Sequence, residues 1–168
     1  NKKYDGKSTK KDGTYKGFVR KTYNSLERIR NGGEYGNKFI SILENDNNYH
    51  TIVKDNRSFN EGTTVHYNPN NKEAGLDQDG GIYTESYIIL AHELAHNLEF
   101  FESNGAKSAE WYNFNGTSIS SSEIYATHIE NLIRSENGLP LREFYSHTIE
   151  TQGSKNFYQG DERGRLLI

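Results

Sequence analysis

The sequence predicts an α+β fold: a small antiparallel sheet packed on one long buried helix, with a second helix facing it across a cleft. Three observations carry this. Residues 84–104 repeat apolar side chains at helical intervals, runs at 49–54 and 63–67 are β-branched or aromatic and bounded by turn residues, and a serine-rich capping pattern at 120 opens another helical stretch. The 168 residues fit one domain. Apolar side chains make up 32% of them, so the core is small, and 12% aromatics set the chain apart from disordered sequences.

A basic arm at 1–15 precedes a single domain at 16–168. Residues 1–21 hold eight Lys/Arg against two Asp, whereas the remainder carries 12 basic and 21 acidic residues. The arm is rich in Gly, Ser and Thr and reads as a solvated linker. Nucleic-acid binding is the weaker reading, because no basic stripe interleaved with aromatics continues beyond the arm and an acidic body repels phosphate. No long-period repeat or heptad run occurs. Val19, Tyr23, Leu26 and Ile29 recur at steps of four, three and three, an amphipathic helix that Gly32-Gly33 ends. Phe39, Ile40, Ile42 and Leu43 mark a second short helix, closed by the Asn/Asp cluster at 45–48. The runs at 49–54 and 63–67 then pair as antiparallel strands, the second ended by Asn68-Pro69-Asn70. A polar, Gly-rich loop covers 70–81.

From Thr84, read as an N-cap, the positions Ile88, Ala91, Leu94, Ala95, Leu98 and Phe101 describe the long helix, with Gly105 as its stop. A loop runs from there to Ser120. Ser120-Ser121-Ser122-Glu123 matches a capping box and opens a helix to Asn137, ended by Gly138 and Pro140. Beyond Tyr145 periodicity fades, and the tail is expected to wrap the surface.

Zero cysteines exclude disulfides, thiolate-bound zinc, iron–sulfur clusters and Cys nucleophiles, so any metal must use His and carboxylate. Methionine is absent too, which reads Asn1 as an internal start, from processing or from a longer protein. The longest apolar stretch, Ile88-Ile89-Leu90-Ala91, is far below the roughly 20 residues of a membrane span.

The strongest chemical signal is His92-Glu93-Leu94-Ala95-His96, an HExxH string inside the long helix. Six His and 16 Glu in 168 residues would produce about 0.02 such strings by chance. A four-residue step puts both imidazoles on one helix face, where they can converge on a single zinc. Glu93, angled to the side, can reach a metal-activated water and act as general base. Two solvated histidines flanking a glutamate would not explain the apolar residues that bury this helix.

A third ligand must come from elsewhere, since positions 99 and 102 are both Glu and the extended metzincin pattern is absent. His50, His66, His128 and His147 are available, and Glu123, 27 residues after His96, is the best placed candidate; its alternative role is pairing with the Ser120 backbone in a capping box. Glu130 and Arg134 each lie within roughly 20° of Glu123 around their helix. Exposed, the Glu130–Arg134 pair would contribute only about 0.3–0.5 kcal/mol, whereas beside a metal it can orient ligands. Arg142 and Tyr145 follow the Pro140 turn, and an Arg with a Tyr hydroxyl can stabilise an oxyanion.

These residues resemble the NleD-like zinc metallopeptidases, bacterial effectors whose peptidase unit also ends Rhs-type polymorphic toxins. The likeness spans residues 15–147. It rests on the leading helix, the strand ending in Tyr67-Asn68-Pro69, the segment LAHELAH at 90–96, and SSEIYATHIENLIRSENGLPLREFY at 121–145. The last of these is similar to the family's acidic ligand helix followed by Glu-Asn-x-x-Arg and Gly-x-Pro-x-Arg-x-x-Tyr. The resemblance implies one zinc on His92, His96 and Glu123, with Glu93 as base and Glu130 as the alternate ligand. The Arg-x-x-Tyr step of Arg142 and Tyr145 is also similar to that of the botulinum and tetanus light chains, where these residue types assist the transition state.

The reading is therefore a zincin that hydrolyses peptide bonds, with the strand at 63–67 as an edge that holds substrate extended. The family likeness implies a toxin or effector secreted or translocated into a target cell, where it cuts a protein or peptide. It is expected to be a monomer, with an immunity protein as a candidate partner. Two rivals remain: a zinc-binding interaction module without turnover, and a zinc hydrolase acting on a non-peptide amide.

Overall fold

The computed structural model describes residues 15–72 and 75–166, so the basic arm, apart from Tyr15, lies outside the described residues. Amphipathic spacing produces the expected leading helices, α1 (Gly17–Gly32) and α2 (Glu34–Asn45), each with one apolar side turned inward through Ile29, Phe39 and Ile40. The two meet closely at Gly36, where a Cβ would overlap the carbonyl oxygen of Ile29. The Glu136 carboxylate accepts from the Tyr35 and Gly36 amides at 2.6 and 2.9 Å, placing an anion on the N-terminus of α2.

The expected strand runs form β1 (Thr51–Lys54) and β3 (Thr64–Tyr67), but they are parallel, with Thr51 opposite Thr64 and Lys54 opposite Tyr67. A short strand between them, β2 (Phe59–Glu61), reverses the chain and turns at Gly62 (φ 58°) into β3. The sheet order is β1-β3-β2, so 63–67 is the central strand and not an edge; β1 and β2 are the two edges. Val65 and Tyr67 of β3 are fully buried.

The long helix, α3 (Ser86–Glu102), is apolar nearly all round and accordingly central: Ile88, Leu90, Ala91 and Ala95 have no exposure. Thr84 is not its cap. Glu85 occupies that position without a side-chain cap, while the Thr84 amide donates to the Lys72 carbonyl at 2.7 Å. The expected loop to Ser120 contains a hairpin, β4 (Glu110–Phe114) and β5 (Thr117–Ser120), turning at Asn115-Gly116 with φ of 51° and 84°. That Asn-Gly pair is a recognised hairpin signal in the sequence. Helix α4 (Ser122–Glu136) follows and ends as expected at Gly138 (φ 63°), with the Leu139 amide donating to the Arg134 carbonyl at 3.0 Å. The tail is no featureless wrap: β6 (His147–Gln152) and β7 (Lys155–Gly160) form an exposed hairpin. A tight 3-10 turn, Glu162–Gly164, brings the chain back, the Tyr145 amide donating to the Gly164 carbonyl at 2.9 Å.

The described residues thus form a mixed α+β arrangement of four α-helices and three small sheets around a core in which α1, α2, β3 and α4 all pack toward α3. No described helix is long and apolar enough to cross a membrane.

Candidate metal centre

Because α3 is regular through 92–96, the His92 and His96 rings stand side by side, 4.8 Å between centroids. Packing of α4 against α3 brings Glu123 to meet them. His92 Nε2 and His96 Nε2 are 3.2 Å apart, and Glu123 Oε2 lies 3.1 Å from the first and 3.0 Å from the second. Three donors bound to one zinc at about 2.0–2.1 Å in tetrahedral geometry stand roughly 3.3 Å apart, so this triangle fits such an ion and leaves a fourth position open. His92, His96 and Glu123 can hold a metal ion. The capping box is not formed: Glu123 faces the histidines, and the Ser122 amide donates to Ser120 Oγ at 3.2 Å instead.

Behind His92 lies a buried ionic network. Glu130, 2% exposed, accepts from His92 Nδ1 at 3.0 Å, from Arg134 Nε at 2.8 Å and from Arg142 Nη1 at 3.1 Å. With both oxygens committed, Glu130, expected as the alternate ligand, stands behind His92 and outside the group of donors that could share an ion. Arg134 also donates to the Pro140 carbonyl at 2.9 Å. The Arg142 guanidinium, expected at an oxyanion, points to Glu130 and to the Tyr145 and Phe144 carbonyls and is not among the residues that line the cleft. That guanidinium stands 4.6 Å from the centre of the Tyr145 ring. Tyr145 itself lines the cleft beside the donors.

The electrostatics follow from burial and these contacts. Burial works to lower the His92 pKa, but the Glu123 and Glu130 carboxylates outweigh it and push the imidazole up to about 10. Burial works to raise Glu123 and Glu130, yet both end well below the usual carboxylate range, Glu123 through the two histidines and Glu130 through Arg142 and His92. Burial raises the Glu93 carboxyl, with the histidines partly opposing it. It also raises the Tyr145 hydroxyl, reinforced by the Glu123 charge, so that group stays a donor.

A cleft of about 410 Å³ opens at the triangle, lined by His92, Glu93, His96, Glu123 and Tyr145. Its far wall includes Ser58, Phe59 and Asn60 at edge strand β2, and Glu99, Phe100 and Ser103 further along α3. Sequence reasoning did not pick out these wall residues; helical spacing from His96 could have pointed to Glu99. It also passed over Asn97, fully buried, which holds His50 at 2.6 Å and the Gly62 carbonyl at 2.7 Å and so ties α3 to the sheet. His50 pairs with Asp46 and His66 with Asp55, so neither is drawn to the donor triangle.

No family model, curated protein or solved structure matches this chain.

Proposed function

We propose that this chain is a zinc-dependent endopeptidase of the zincin type, and that it serves as an NleD-like effector or toxin domain acting on a protein in a target cell. The observation that carries the catalytic reading is the donor triangle of His92, His96 and Glu123, with the Glu93 carboxyl beside it in an open cleft. Bound there, zinc would supply Lewis acidity, lowering the pKa of water to about 7 and polarising a carbonyl.

The chain's own groups would do the rest. Glu93 takes the proton from the attacking water and passes it to the leaving amine, a role suited by burial that raises its pKa. The Tyr145 hydroxyl donates to the oxyanion as the carbonyl becomes tetrahedral. Glu130 holds the Nδ1 proton of His92, which leaves Nε2 free to face the metal. Arg142 supports both, joining Glu130 to the Tyr145 backbone. With 63–67 central, substrate would instead lie extended along β2, the edge strand on the cleft.

Glu93→Gln tests the reading. The variant is expected to bind zinc with unchanged stoichiometry while peptide-library cleavage falls about 10²–10⁴-fold. Unchanged cleavage removes Glu93 as the base, and unchanged toxicity with cleavage lost assigns the damage to binding.

A further inference from the structure

Resting on the peptidase reading, we infer that the cleft selects a basic side chain, lysine or arginine, beside the bond it cuts, and that Glu99 is the residue that selects it. The lining carries three carboxylates, Glu93, Glu99 and Glu123, and no Lys or Arg among the described residues. A divalent ion balances two of these, Glu123 as its ligand and Glu93 next to it. Glu99 remains uncompensated. It is half-buried and lies three residues past His96 on the same side of α3; its backbone carbonyl accepts from the Ser103 amide, but its carboxylate forms no hydrogen bond or ion pair among the described residues.

The neighbouring wall suits a long side chain with a charged end. Phe59 is held by stacking on His66, 4.2 Å between ring centroids. Phe100 is confined between Gly62 and Gly105, where an added Cβ would stand 3.3 and 3.2 Å from its ring. Such aromatic walls accept the aliphatic stem of Lys or Arg while the cationic head reaches the carboxylate. A neutral side chain would leave Glu99 partly desolvated without a partner, and an acidic one would be repelled.

The test uses zinc-loaded protein and hydroxamates that carry an arginine or a norleucine side chain on either side of the metal-binding group. The arginine compound on one side is expected to bind about tenfold tighter than its norleucine counterpart. Glu99→Gln should abolish that preference without changing zinc stoichiometry or norleucine affinity, and Glu99→Lys should shift it toward a glutamate side chain. In digests, Glu99→Gln should lower kcat/KM for peptides with Lys or Arg at the cut and spare neutral ones. Equal affinities in the unsubstituted protein, or a preference that survives Glu99→Gln, overturns this inference while leaving the metal centre standing. Metal-dependent binding of no hydroxamate overturns the peptidase reading and this inference with it.

Discussion

Glu130→Gln probes the network behind the metal centre most directly. The native carboxylate meets His92, Arg134 and Arg142, and the last two residues are 1% and 8% exposed. Gln keeps the shape but removes the charge, so two buried cations lose their shared counter-ion. Breaking a buried pair from one side costs about 3–5 kcal/mol, since the remaining charge is desolvated and unpaired. For a domain of this size each kcal/mol moves Tm by about 2–4 °C, so the metal-free variant is expected to melt roughly 6–20 °C below the parent. Metal-free samples are needed because a bound ion would add its own stabilisation to both proteins. The amide also offers one acceptor oxygen where the carboxylate offered two, so His92 Nδ1 must share it with the arginines; the weaker hold on the His92 tautomer should lower zinc affinity by about 10–100-fold. Differential scanning calorimetry and a competitive zinc titration read the two effects separately. A Tm within 2 °C of the parent would refute the burial argument, and unchanged affinity would refute the positioning of His92.

Two further outcomes follow from the same groups. Tyr145→Phe is expected to lower peptide cleavage about 10²-fold with zinc affinity unchanged, because only a donor to the developing oxyanion is removed; equal turnover in steady-state assays places the hydroxyl outside the reaction. The metal-free protein should show a stability plateau between pH 4.5 and 6.5. The raised His92 pKa contributes stability that is complete below its ordinary 6.5 and is lost as pH climbs toward about 10. The lowered Glu123 and Glu130 pKa values contribute stability that is complete above their ordinary 4.5 and is lost as acid protonates them. Chelator-treated samples melted from pH 3 to 10 check this, and a steady rise in Tm through pH 9 contradicts it.

The pairing of His92 with His96 was legible in the sequence because it is a local property: a buried helix of fixed period puts residues four apart on one face. The shared face of Glu123, Glu130 and Arg134 was legible for the same reason, and so was the termination of α4 at Gly138. Two hairpins were missed. For β4 and β5 the Asn115-Gly116 signal was present but outweighed by a Gly- and Ser-rich stretch, while β6 and β7 expose most of their side chains and so show little apolar alternation.

Strand direction is another matter. The runs at 49–54 and 63–67 look the same whether parallel or antiparallel, and the three residues of β2 that reverse the chain are too few for a periodic signal. Helical geometry therefore determined, from the sequence alone, which side chains share a face. Only the tertiary structure decided that Glu123 reaches both histidines, that Glu130 stands behind His92, that Arg142 turns away from the cleft and that β2 is its edge. Those outcomes depend on how α4 crosses α3 and on where the chain re-enters the sheet, and packing between distant segments leaves no mark in local spacing.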